Sequence, residues 1–196
     1  MPKKSPAKFL KNFKGYSDCV PPGVTLPEIN IESKYYESLN LDPNSSNYIF
    51  LKNLCISGLK EKGIHKLNNK QDYNIRIKEE LKILKDLGFV DYILLNWDIL
   101  RFCHESGIPT GPGRGSAAGS LVLYAIGVTK VDPIKYELFF ERFVSASRAK
   151  KIHKNGEVYL DGGLLADIDN DIAYEHREKV IKYIEEKHHS RTAKIL

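Results

Sequence analysis

Two stretches of this chain hold residue types that do chemistry together. The first is Gly111-Pro112-Gly113-Arg114-Gly115-Ser116-Ala117-Ala118-Gly119-Ser120. Glycine at 111, 113 and 115 argues against a helix or strand interior, because glycine gives up more backbone freedom on ordering than any other residue. Pro112 fixes its own φ and pushes Gly111 toward extended geometry, so the loop enters stiffly. Bare backbone running into a helix start presents unpaired N–H groups and the positive end of the helix dipole, an arrangement that suits phosphate. Arg114 adds a planar, permanently charged donor beside Gly113, Gly115 and Ser116. Ser116 is expected to cap a helix with a small first turn that becomes apolar at Leu121–Ile126. The same residues also suit a tight turn with close helix packing and no ligand, so the loop alone decides little.

The second stretch is Leu164-Leu165-Ala166-Asp167-Ile168-Asp169-Asn170-Asp171-Ile172. On a strand, residues two apart share a face, so Asp167, Asp169 and Asp171 are expected to point one way. Like charges on one face repel, and acids are poor strand formers, so a fold gains little from such a row. A divalent cation gives it a purpose. Carboxylate oxygens suit Mg2+, which keeps waters and takes its other ligands from substrate phosphates. Two such ions, roughly 3.5–4 Å apart, clamp the attacking and leaving oxygens of a phosphoryl transfer. A turn-rich acidic loop is the competing reading; an EF-hand is excluded by the offsets of glycine and glutamate.

The elements that must position these stretches are mostly helical. Apolar spacing predicts helices over 48–62, 72–87 and roughly 91–105, ended by Gly63, Gly88 and Gly107-Ile108-Pro109. In the second, Ile77, Leu81, Leu84 and Leu87 face inward, while Glu79, Glu80, Lys82 and Lys85 are assigned to the wet face. Cys103 and His104 fall at the end of the third, where His104 suits the last carbonyls better than a metal. Asp132-Pro133 reads as a helix opener for Ile134–Phe143, with Arg142 held by Glu141 or by a ligand phosphate. Residues 145–163 read as a basic, glycine-rich loop or hairpin, and Tyr174–Lys187 as a last helix. Arg177 in that helix is near enough to the acids to face them.

With 196 residues, the chain is long enough for one domain with a real core. It is 42% hydrophobic and 28% charged, and its net charge of +5 permits a nucleic-acid partner without requiring one. Residues 1–25 carry five lysines against one aspartate and four prolines, and read as a basic arm, either idle or attracted to a nucleic-acid backbone. Three cysteines, with no CxxC pair, indicate neither a zinc ribbon nor a disulfide framework. No apolar run is long enough to span a membrane and no secretory leader opens the chain, so a cytoplasmic location and no membrane partner are expected.

Taken in order, the glycine loop, Val131-Asp-Pro, Phe140-Glu-Arg-Phe, Asp167-Ile-Asp and Arg177 with Val180-Ile181 resemble the palm of the bacterial replicative DNA polymerase III α family (the C family). Leu26-Pro27, Glu80-Leu81 and Leu87-Gly88-Phe89 resemble its lead-in, so the likeness runs over about residues 26–196. Ala166 stands where that family usually has proline, and the segment between Arg148 and Asp167 is longer than expected.

The resemblance implies an α/β palm of the nucleotidyltransferase type, polymerase β-like, with helices packed on a small mixed sheet. It implies that Asp167 and Asp169 are two of three catalytic aspartates, ligating two Mg2+ ions. Gly115 and Ser116 would lie at the incoming nucleotide's phosphates and Arg142 near the same triphosphate. Partners would be a DNA primer-template, deoxynucleoside triphosphates, and a complementary polymerase chain supplying the third aspartate, thumb and fingers. Asp171 and Asp161 are the nearby candidates for a third carboxylate in a self-sufficient enzyme. A non-catalytic remnant that only binds nucleotide or DNA is the alternative.

Overall fold

The computed structural model describes residues 28–144, 151–154, 157–160 and 166–188. Its body is built from α1 (Ser33–Ser38), α2 (Asn47–Glu61), α3 (Lys70–Leu87), α4 (Val90–Glu105) and the short α5 (Leu121–Ala125), and α6 (Arg177–His188) lies against α4. The basic arm, Leu164, Leu165, Asp161 and His189 lie outside the described residues.

The expected mixed sheet is not there. Among the described residues the only sheet is a two-stranded antiparallel hairpin, β1 (Lys151–Lys154) with β2 (Glu157–Leu160), which agrees with the hairpin reading of that region. The body is therefore helix packed on helix, not helices laid on a sheet. Among the described residues the acidic run forms no strand; its backbone meets the glycine loop at an isolated bridge, Thr110 with Ile172.

Periodicity explains the body. Along α3, Tyr73, Ile77, Leu81, Leu84 and Leu87 are buried, and α4 buries Ile93, Leu94, Trp97 and Leu100. Gly88, with φ +79°, closes α3 in the left-handed conformation that ends helices. The buried centre is α5, where Leu121, Val122 and Leu123 are wholly enclosed. Both α2 and α3 pack on it. At Gly58 a Cβ would stand 1.9 Å from the Ala125 carbonyl oxygen, so only glycine allows α2 and α5 to meet backbone to backbone.

Two expectations fail locally. Ile134–Phe143 is not a helix: Asp132 does accept from the N–H groups of Ile134 and Lys135, but Glu137 takes φ +51° and the chain turns away. Only the 3-10 turn Phe140–Arg142 remains. Ser116 does not cap an α-helix either, since Gly115–Gly119 is a 3-10 turn and α5 is capped by Ser120, whose hydroxyl accepts from the Leu123 N–H.

Candidate phosphate and metal site

The acids keep their alternation without a sheet. Asp167, Asp169 and Asp171 are exposed, while Ala166, Ile168, Asn170 and Ile172 turn inward. Each inward residue is anchored. The Tyr92 hydroxyl donates to the Ala166 carbonyl at 2.9 Å, and Asn170 Nδ2 donates to Asn96 Oδ1 at 2.8 Å. Ile168 packs on the main core and Ile172 on a second cluster of Cys103, Ile108 and Val180. Burial, reinforced by the charges of Asp167 and Asp169, holds the Tyr92 phenol above its usual pKa, although a backbone hydrogen bond near Ile168 opposes it. One face of α4 thus acts as the rack on which the acidic run hangs.

The glycine loop lies alongside. Gly111 N–H donates to the Asp171 carbonyl at 2.9 Å, and Ala173 N–H donates to the Pro109 carbonyl at 3.2 Å. A Cβ on Gly111 would come within 2.8 Å of Asp171 Cβ, so the approach requires glycine here. On the other side, Lys130 N–H donates to the Pro112 carbonyl and Lys130 Nζ to the Thr110 carbonyl. Gly113 and Gly115 take φ +87° and +66°. The loop is therefore clamped between the 127–130 turn and the acids.

Arg114 joins the two stretches. Its Nε donates to Asp171 Oδ1 at 3.1 Å, and its Nη2 lies 3.7 Å from Asp169 Oδ1. Gly115 is close as well, since a Cβ there would stand 3.4 Å from Asp169 Oδ2. Ser116 is half-buried at the start of the 3-10 turn. Arg142 is exposed on the turn packed against Gly115–Gly119, where a Cβ on Gly119 would meet the Phe139 carbonyl oxygen at 2.6 Å. So Gly111, Arg114, Gly115, Asp169 and Asp171 are brought together, Gly113 packs toward Thr129, Asp167 is exposed, and Arg142 is on the adjoining turn. Arg177 opens α6 and is exposed.

Glu80 departs from its expected place. It is not on the wet face of α3 but 1% exposed, and it binds the start of α5. Its Oε1 accepts from Leu121 N–H at 3.0 Å and from Arg76 Nε at 2.6 Å; its Oε2 accepts from Val122 N–H at 3.0 Å and from the Ser120 hydroxyl at 2.9 Å. Arg76 Nη2 donates in turn to the carbonyls of Gly119 and Leu138. Burial pushes the Glu80 carboxyl up, against the pull of those N–H groups and Arg76. Because Glu80 takes up the free N–H groups of α5, that helix start has no donors left for phosphate. Any anion at this loop must use the 3-10 turn and Arg114 instead. An acid four residues after Arg76 on one helix face was the available signal.

Three metal questions follow from the donor set. Hard carboxylate oxygens suit Mg2+, and exposed acids leave room for water and substrate oxygens. Among the described residues no three His, Cys, Asp or Glu side chains converge into a closed metal cage. Exposed carboxylates of this kind fit an open Mg2+ site. His104 Nε2 lies 3.2 Å from the Thr110 hydroxyl, not on the last helix carbonyls expected for it.

Residues 49–196 match the family described as the bacterial DNA polymerase III alpha NTPase domain. The chain is 37% identical over 153 residues to the DNA polymerase III subunit alpha of Helicobacter pylori, covering 78% of this chain and 11% of that protein. It is 40% identical over 148 residues to the same subunit of Halalkalibacterium halodurans, covering 75% and 12%. With that of Bacillus subtilis it shares 40% over 141 residues, covering 71% and 11%. The chain belongs to the bacterial DNA polymerase III α family, and it spans about a tenth of the length of these relatives.

Proposed function

We propose that this chain supplies the nucleotide-handling part of a DNA polymerase palm, which adds deoxynucleotides to a primer 3′ end when a complementary polymerase chain provides the third aspartate, thumb and fingers. The observation that carries it is Arg114 reaching from the glycine turn to Asp169 and Asp171, because it sets a phosphate-binding loop against a row of carboxylates.

In this reading Asp167 and Asp169 hold two Mg2+ ions, which when bound neutralise charge on the triphosphate and favour the ionised primer hydroxyl. The chain's own residues position. The N–H groups from Gly113 to Ser116 and the Arg114 guanidinium bind triphosphate oxygens, and Arg142 on the adjoining turn adds a second cation. The primer 3′ oxygen bonds to the α-phosphorus as the bond to the bridging oxygen of the β-phosphate breaks, and pyrophosphate leaves. Holding the reactants in line is the protein's main contribution. The chain matches about a tenth of each relative's length, so this reading assigns thumb and fingers to further polypeptide, and a replicative role accords with a cytoplasmic location. Among the described residues no helix is long and apolar enough to cross a membrane.

The test is primer extension with Mg2+ after mixing the chain with a complementary polymerase chain carrying thumb and fingers. Extension is expected, and expected to vanish in Asp167→Asn and Asp169→Asn. Extension that survives Asp167→Asn overturns the proposal.

A further inference from the structure

Away from the acids, α2 and α3 diverge from their shared seat on α5 and leave an open groove of about 620 Å³ between them, closed at one end by the turn Ile64–Lys66. Its floor is apolar, built from Leu59, Ile64, Ile77 and Leu81. Its walls have a regular pattern. Lys52, Ile56 and Lys60 follow one another at successive turns of α2, and Lys70, Asn74 and Lys78 do the same on α3. At 1.5 Å per residue, the two lysines of each wall stand about 12 Å apart along their helix. His65 adds to the closed end, and none of the described residues lining the groove is acidic. Ile56 is 55% exposed, a large apolar side chain on a helix that has ample core of its own.

We infer that this groove docks an acidic amphipathic helix of a separate protein, its apolar stripe on Leu59, Ile77 and Leu81 and its flanking carboxylates on the lysines of the two walls. Charge complementarity fixes the sign of the partner: a strip of hydrocarbon between two cationic rails rejects a basic or neutral-polar segment and accepts one with acids on both flanks. The two-helix walls favour a helix, received as apolar anchors spaced by turns. Among the described residues the lining carries no Phe, Tyr or Trp, and its one imidazole, His65, sits at the closed end, so it lacks the row of stacking rings that single-stranded nucleic acid uses and the aromatic slot that polyproline segments use. The inference stands apart from the catalytic reading, since none of these residues belongs to the loop or the acidic run.

The experiment uses the full 196-residue chain. A fluorescent synthetic helix with leucines on one face and glutamates along both flanks is titrated by anisotropy against a twin whose glutamates are replaced by lysines. The acidic probe is expected to bind and the twin to bind at least about tenfold more weakly. Ile56→Glu, at an exposed position where folding is checked by circular dichroism, is expected to weaken the acidic probe by about tenfold or more. The double change Lys60→Glu with Lys78→Glu should do the same, and added salt should weaken binding of the original chain. Equal binding of both probes, no binding of the acidic one, or binding indifferent to Ile56→Glu overturns the inference. So does preferential, Ile56-dependent uptake of phosphatidylserine vesicles or of a single-stranded oligonucleotide, which would assign the groove to a membrane or a nucleic acid.

Discussion

Gly111 and Asp171 are held together twice over: the Gly111 N–H donates to the Asp171 carbonyl at 2.9 Å, and Asp171 Cβ fills the space where a Gly111 Cβ would go. This contact, one of the two hydrogen bonds that make the Thr110–Ile172 bridge, sets the distance between the phosphate loop and the acidic run, and Ala173 N–H to the Pro109 carbonyl is the other. A methyl group at 111 must push them apart. Gly111→Ala is expected to destabilise the chain by about 1–3 kcal/mol, as overpacking does. Gly63→Ala, at φ +73° with open space around it, should cost only about 1–2 kcal/mol of backbone strain. Urea midpoints check both. The specific sign is that Gly111→Ala also weakens Mn2+ binding, and Gly63→Ala does not.

Arg114 lies against Asp169, one of the two carboxylates that a divalent cation would use, and hydrogen-bonds Asp171 beside it. The guanidinium and the acids are all about half exposed or more, so the pairing adds little stability, and Arg114→Gln should leave the unfolding midpoint nearly unchanged. Divalent affinity should rise several-fold, because the cation no longer competes with an arginine, while triphosphate affinity falls. Mn2+ titration followed by electron paramagnetic resonance reads the first and nucleotide-dependent anisotropy the second. A drop in both affinities would show that Arg114 only holds the acids in place.

Glu80 accepts four hydrogen bonds, from Arg76 and from the start of α5, so its loss should be costly. Glu80→Leu leaves the half-buried Arg76 without its carboxylate and the N–H groups of Leu121 and Val122 without acceptors. Breaking a buried pair in this way costs about 3–5 kcal/mol. Chemical denaturation should register that loss, and hydrogen exchange at Leu121–Leu123 should accelerate most. Because α5 carries the glycine turn on its N-terminal end, nucleotide binding should weaken with it.

Asp98 makes the junction of α4 and α6 sensitive to acid. Its carboxylate is wholly buried, which by itself would raise the pKa. Hydrogen bonds from Lys187, Arg101 and Tyr183, each at 2.8 Å, outweigh that and hold it below its ordinary value of 3.8. A lowered folded-state pKa means the stabilisation is complete above the unfolded value and is lost as pH falls through the folded one. Unfolding free energy should therefore decline below about pH 4, more steeply in the original chain than in Asp98→Asn. At neutral pH, Asp98→Asn should already be less stable. Parallel pH profiles of the two proteins would contradict this.

Much of the helical body was legible because its periods are local. Ile77, Leu81, Leu84 and Leu87 repeat along one face whatever they pack against, and glycine at 63 and 88 ends a helix from within. The side-by-side display of Asp167, Asp169 and Asp171 was legible for the same reason, since alternation belongs to any extended chain. The missing sheet was not legible. A strand needs a neighbour in register, and the neighbour here is a loop that meets the run at one bridge. Glu80 was misread because burial of a charge depends on partners distant in sequence, Ser120 to Val122, that a helical pattern cannot report. The Ile134–Phe143 error has a local cause: Leu138 N–H turns back to the Pro133 carbonyl, and the chain leaves helical geometry at Glu137.

The acidic run is moored at both ends to different bodies. Ala166 belongs to the large apolar core, whereas Ile172 packs on the small cluster of Cys103, Ile108 and Val180, which shares no buried residue with that core. Two separate clusters can loosen separately, each as its own cooperative unit. Any sliding of α6 along α4 therefore stretches or slackens the tether between them, and with it the spacing of three neighbouring negative charges, much as tightening one peg retunes a string.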